Sequence, residues 1–160
     1  MEPLDQSDLR LLRLLQEDAR RPFKELAHSV ALATSTVYER VRRLRATGVL
    51  LGTHAEVTPA ALGLRLQAMV FVQLNQHSGQ ALEAFAVGMA QREWVRDVYH
   101  LAGRQDFALH VVARDTESLR AQVMEVTELA EVRQVETNLI FEHRRNHVLP
   151  DSSTPKAPAR

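Results

Sequence analysis

The run from Glu25 to Leu50, ELAHSVALATSTVYERVRRLRATGVL, constrains this chain more than any other stretch. Val37, Val41 and Leu44 recur at i, i+4 and i+7, so the spacing predicts a helix over 34–47 with one narrow apolar stripe. Ser35, Thr36, Glu39, Arg42, Arg43 and Ala46 fall on its opposite half. The helix sets Arg40, Arg42, Arg43 and Arg45 against the single acid Glu39, and its first turn, Thr34 to Thr36, is small and hydroxylic. Upstream, Leu26, Ala27 and Val30 suit a shorter helix, joined to it by residues 31–33. Two short helices, a tight turn and arginines behind small polar residues make a helix-turn-helix pattern. In that motif the second helix enters the major groove, its leading residues at base edges and its cations at phosphates. An arginine-faced helix taken alone is more often a solvated surface; here the neighbours matter. Gly48 stands where a C′ glycine ends a helix. Beyond it, Val49-Leu50-Leu51 and His54-Ala55-Glu56-Val57 flank Gly52-Thr53 as a short hairpin, the expected wing.

Ahead of this stretch, Asp5 is a good N-cap, with Asp8 at N3 completing a near capping box. Leu9, Leu12 and Leu15, with Leu11, are the expected buried face of that first helix. Pro22 suits the first position of the next one, where its missing N–H costs nothing.

After the wing the pattern changes. Thr58-Pro59-Ala60-Ala61-Leu62-Gly63 reads as a joint, and from Leu66 the period is two. A strand over 66–74 precedes a helix after Ser78, with Leu82, Phe85, Ala86 and Met89 on one side. Strands over 95–101 and 107–113 flank Gly103-Arg104-Gln105-Asp106; a second helix reaches about Leu129 with Leu119, Val123 and Val126 inward; a last strand covers 132–141. The order β-α-β-β-α-β predicts a ferredoxin-like arrangement, both helices on one face of an antiparallel sheet. The fold class is α+β, a winged helix-turn-helix domain followed by a ferredoxin-like domain. The expected boundaries are 1–57 for the first domain, 58–65 for the linker, 66–148 for the second domain and 149–160 for a disordered tail poor in large apolar residues. With Leu66, Val70 and Val72 toward the helices, Met69 and Phe71 point away, and Val98, Val112 and Ile140 are expected to share that second face. Its apolar character calls for a cover, most simply the same sheet of a second subunit.

Bulk properties narrow the functions. Lys+Arg and Asp+Glu number 20 each in 160 residues, a formal net charge of zero. That disfavours a histone-like polyanion coat but leaves room for a local basic face. Cysteine is absent, which removes disulfides, thiolate metal sites and cysteine nucleophiles. No signal segment and no membrane-length apolar run is present, so a soluble, cytoplasmic protein is expected. Among seven histidines, His143 and His147 share an i, i+4 spacing, but no acid or cysteine cluster completes a metal site, and His28 reads as solvent-facing. No phosphate loop, GxSxG elbow or HExxH motif nominates an enzyme; no catalytic residue, metal or cofactor is expected.

LDQSDLRLLRLLQEDAR, ELAHSVALATSTVYERVRRLRATGVLLGTHAEV and HLAGRQDFALHV, in that order, resemble the Lrp/AsnC family of feast/famine transcription regulators. The resemblance runs from Leu4 to about His143. It implies that Gly103 and Asp106 match the effector-binding region of the family's C-terminal domain, at contacts between dimers. Arg104 and Gln105 depart from the acidic and aromatic residues often found between them, so the effector's identity is not carried over. The family usually has glycine and serine where this chain has Ala31 and Ala33, which points to Thr34 as a substitute cap.

The expected function is a sequence-specific regulator binding double-stranded DNA through Thr34, Ser35, Thr36, Glu39, Arg40, Arg42 and Arg43. Small hydroxyls and Glu39 can approach base edges, while the arginines suit phosphates or guanine. Gly103, Arg104 and Asp106 are the expected effector site, the aspartate suiting the ammonium of an amino acid. Without the resemblance, a glycine and an aspartate between strands are equally ordinary turn residues. A homodimer assembling to a tetramer or octamer completes the expectation, with no membrane partner. The competing class is a ligand-binding assembly protein whose first domain only contacts other proteins.

Overall fold

A computed structural model describes residues 3–150. The chain divides into two compact units, one formed by residues up to Ala55 together with those from Arg144 on, the other by Glu56–His143.

The first unit contains α1 (Gln6–Glu17), α2 (Phe23–Val30) and α3 (Thr34–Ala46). Asp5 and Asp8 close a full capping box: the Asp8 N–H donates to Asp5 Oδ1 at 2.8 Å, and the Asp5 N–H to Asp8 Oδ2 at 3.3 Å. Leu11, Leu26, Ala27, Val37 and Val41 form the buried core, with Leu14, Leu15, Phe23, Val30, Leu32 and Leu50 packed around it. Burying a leucine fully contributes about 2 kcal/mol, so this small core leaves little reserve. Of the expected α1 face, Leu11 and Leu15 reach the core; Leu9 and Leu12 are half-buried outside it, and Leu14 is inside instead. The buried Asp8 sets that rotation, because positions 8, 11 and 15 share one side of a helix.

Ala31 ends α2 in the left-handed region at φ 54°. A non-glycine residue there costs about 1 kcal/mol. Thr34 does not take over the cap of α3: it is already the first helical residue, and Ala33 precedes it as an N-cap without a side-chain hydrogen bond. Gly48, at φ 71°, closes the other end, and the N–H groups of Val49 and Leu50 both donate to the Leu44 carbonyl. The expected wing strands are not formed; residues 49–58 carry no strand pairing. Val49 and Leu50 are spent on the end of α3, and an isolated two-stranded ribbon is marginal in water.

In the second unit, a 3-10 turn (Pro59–Leu62) leads to β1 (Leu66–Leu74), α4 (Gly79–Ala90), β2 (Val95–His100), β3 (Phe107–Ala113), α5 (Thr116–Thr127) and β4 (Val132–Leu139). All pairings are antiparallel, in the order β2-β3-β1-β4. Both helices start on side-chain caps: Ser78 Oγ accepts the Ala81 N–H, and the Asp115 carboxylate accepts the Ser118 N–H at 2.7 Å. That last bond holds the Asp115 carboxyl below the usual carboxylate range. Ala68, Val70, Val72 and Leu74 of β1 are at most 1 % exposed and pack with Phe107, Leu109 and Val111 against Phe85, Met89, Leu119 and Val126 of the helices.

The other sheet face carries Gln67, Met69 and Phe71 beside Val112, His110 and Ala108. Val98 does not share it: opposite Leu109, it packs with the helix-side core. The register shift between Val95 and Asp97 moves the strand by one residue, which swaps its faces. Asp97 occupies the second face instead. His110, 4 % exposed, sits there with Nδ1 3.1 Å from Asp97 Oδ2 and Nε2 2.9 Å from the Gln67 amide, and the His143 ring meets it edge-on at 5.5 Å. Burial lowers the His110 pKa more than the neighbouring Asp97 raises it.

Of the expected tail over 149–160, residues 151–160 lie outside the described residues, while the Leu149 N–H donates to Gln16 Oε1 at 2.8 Å.

Candidate functional site

The apolar stripe of α3 turns Val37, Val41 and Leu44 into the core, so the opposite side must face outward. Thr34, Ser35, Thr36 and Glu39 are exposed there, and so are Arg42 and Arg45. Tyr38, 55 % exposed, is steadied by the Phe23 ring with centroids 5.6 Å apart. Arg42 pairs with Glu39 at 2.5 Å, but both are largely solvated, so that contact contributes little and yields readily to a better anion.

Arg40 and Arg43 behave differently. Arg40 Nη1 donates to Asp5 Oδ2 at 2.6 Å and to Asp8 Oδ1 at 2.9 Å, while Arg43 Nη2 donates to Asp8 Oδ2 at 2.5 Å. Asp8 is 1 % exposed, so both arginines neutralise a carboxylate that has left water. The hydrogen bonds from the Asp8 N–H and then from Arg40 hold Asp5 below the usual carboxylate range, and the two acids raise Arg40 in return. Asp5, Thr36, Glu39, Arg40, Arg42, Arg43 and Ala46 line an open cleft of about 640 Å³ along this side of α3. The arrangement offers three guanidiniums and a hydroxyl to an anion. Sequence reading placed Arg43 on the outer half of the helix, named Arg40 among the residues expected to meet DNA, and put Asp5 and Asp8 in a cap. It missed that these four form one network, because the partners lie 32 and 35 residues apart.

The second expected site lies in the other unit, at the β2–β3 turn. Gly103 adopts φ 147°, with no atom within 4 Å of where a Cβ would stand, so the backbone angle rather than space favours glycine. Arg104 is exposed, and Gln105 has a buried Oε1 without a hydrogen-bond partner among the described residues. Asp106 is 8 % exposed and already engaged: Oδ2 accepts the Leu74 N–H at 2.8 Å, and Oδ1 lies 3.0 Å from His77 Nε2. The carboxylate thus staples the turn to the end of β1, and its other oxygen meets a histidine that is 59 % exposed. Nothing in the spacing of His77 pointed to this contact.

Both parts of the chain match known domain families. Residues 4–45 match the AsnC-type helix-turn-helix domain, and residues 67–148 match the Lrp/AsnC ligand binding domain. The HTH-type transcriptional regulator AldR of Mycolicibacterium smegmatis is 46 % identical over 143 residues, covering 89 % of this chain and 84 % of that protein. The leucine-responsive regulatory protein of Rhizobium meliloti is 37 % identical over 134 residues, covering 84 % and 85 %. Among solved structures, MtbAldR superposes with a TM-score of 0.77 at 42 % identity, over 89 % of this chain and 98 % of that one. A Neisseria meningitidis transcriptional regulator, solved as a complex with L-Met, gives 0.82 at 25 % identity over 92 % and 97 %. With both halves matched in order and close relatives covering most of its length, this chain belongs to the Lrp/AsnC family of DNA-binding transcription regulators.

Proposed function

We propose that this regulator reads a specific duplex through the outer side of α3, assembles through the second face of its sheet, and senses an amino acid at the Gly103–Asp106 turn. The observation that carries the DNA reading is the exposed run Thr34, Ser35, Thr36 and Glu39 beside a cleft holding Arg40, Arg42 and Arg43. Hydroxyls of the leading turn and Glu39 meet base edges, and Arg42, whose one acidic contact is solvated, meets phosphate. Fluorescence anisotropy on a duplex selected from a random pool, across a salt series, tests this. Arg42→Ala is expected to weaken binding about equally on selected and scrambled duplexes and to lower the salt slope by about 1. An unchanged slope would remove Arg42 from the interface.

Assembly as a homodimer, with tetramers or octamers built from dimers, is supported by the half-buried apolar residues Met69 and Phe71 on a sheet face that neither helix covers. An amino-acid effector is supported by the acidic, nearly buried Asp106 next to a displaceable histidine, and by the L-Met complex of the Neisseria meningitidis neighbour. An incoming ammonium takes Oδ1 from His77, while Oδ2 keeps the Leu74 N–H. Asp106→Asn retains the size and the acceptor but loses the charge. Titration calorimetry with the tightest binder among the common amino acids is expected to show an affinity loss of about 10-fold or more. DNA affinity without effector is expected to stay within about twofold, since the site biases DNA binding only through its ligand. Unchanged effector affinity would leave Asp106 a turn residue alone.

A further inference from the structure

The capping box of α1 does more than its local geometry requires. A capping box needs one side-chain acceptor at the N-cap, one at N3 and two backbone N–H groups, and Asp5 and Asp8 provide all four. Here the same carboxylates also collect Arg40 and Arg43 from one side of α3, at 2.5 to 2.9 Å. Asp8 is the fixed point, 1 % exposed and bonded through both oxygens; the Asp5 side chain is half exposed. Arg40 spends a single nitrogen, Nη1, on both acids, and among the described residues its Nε and Nη2 have no hydrogen-bond partner. Its side chain, 26 % exposed, lines the cleft with Thr36 and Arg42.

A guanidinium is planar, so pinning one nitrogen on two acceptors fixes the direction of the other N–H groups. We propose that Asp8 is a positioning residue for DNA recognition, the buried anchor that aims the Arg40 guanidinium at one backbone phosphate and so sets the register of α3 on the duplex. This rests on the outer side of α3 being the DNA face. Phosphate contacts carry no sequence information themselves, but they fix the orientation from which Thr34, Ser35 and Thr36 read bases. The clamp also subtracts charge. While Asp8 is ionised it offsets a cation on the recognition face, holding down binding to arbitrary sequence, which is almost wholly electrostatic.

The two effects give a signature that a merely structural aspartate lacks. Asp8→Asn keeps an acceptor for the Asp5 N–H and removes the charge. Its affinity for scrambled duplex is expected to rise several-fold, with a salt slope steeper by about 1 as the negative charge beside Arg40 is removed. Discrimination between selected and scrambled duplex is expected to fall about 10-fold, comparable with the loss of one base-pair contact. Arg40→Lys supplies the second reading should Asp8→Asn fold poorly by circular dichroism. It conserves the charge but loses the planar fork, and is expected to lower discrimination with an unchanged slope on scrambled DNA. Equal weakening of both duplexes by Asp8→Asn, or unaltered discrimination in a folded variant of either kind, overturns the proposal. Wild-type protein that selects no sequence from the pool would instead overturn the DNA face itself, so the two failures are separable.

Discussion

Leu26→Ala is expected to abolish DNA binding while leaving the β-α-β-β-α-β unit folded. Leu26 is fully buried among Leu11, Ala27, Val37 and Val41, the residues that hold α2 and α3 at their mutual angle. Truncation loses its transfer free energy and leaves a cavity, together about 3 kcal/mol. A domain of this size rarely holds more than about 3–5 kcal/mol in reserve, so most molecules would lose the first unit near body temperature. The second unit buries a separate core around Phe107, Leu109 and Val70 and does not depend on Leu26. The measurement is a thermal melt followed by circular dichroism, beside anisotropy with a labelled duplex. A lost low-temperature transition, a preserved second one and no binding are the expected results. Wild-type affinity in the variant would show that the α2–α3 angle is held by something other than this core.

Phe71→Asp is expected to reduce the proposed assembly to monomers without unfolding them. Phe71 stands on the sheet face away from the helices, opposite Ala108 on one side and Glu136 on the other. Its half-buried ring adds to no core inside the subunit, so its replacement spares the fold. Within a sheet-to-sheet contact, by contrast, the aspartate would be desolvated beside Glu136. An unpaired buried charge costs several kcal/mol, about a thousandfold or more in the dimer constant. Sedimentation velocity with circular dichroism distinguishes the cases. A variant of unchanged mass and unchanged spectrum would mean that this face meets solvent.

Much of the architecture was legible because it is written in local terms. The 3.6-residue stripe Val37, Val41 and Leu44, the cap Asp5, the helix start after Ser78, and the strict alternation of β1 each depend on residues a few positions apart. A helix or strand of that kind is set by its own neighbours, whatever packs on it later. The Gly103 and Asp106 turn was legible in the same way, as a glycine and an acid three residues apart between two strands.

What failed to show was decided by contacts between distant segments. The wing hairpin had turn residues and apolar flanks, yet Val49 and Leu50 found better partners in the Leu44 carbonyl and the three-helix core. Val98 changed face because β2 slips against β3, a choice made across the sheet and invisible along the strand. His77 became a partner of Asp106 only when β1 and β3 came together. Arg40 and Arg43 carried the largest consequence. By itself the sequence determined that one helix carries four arginines against a single acid; only packing α1 against α3 decided that two of them are bound to a buried carboxylate while Arg42 keeps its contact in solvent. The physical reason is reach. Periodicity fixes the direction of a side chain from its own helix, but the charge waiting for it 32 residues away is set by the tertiary fold.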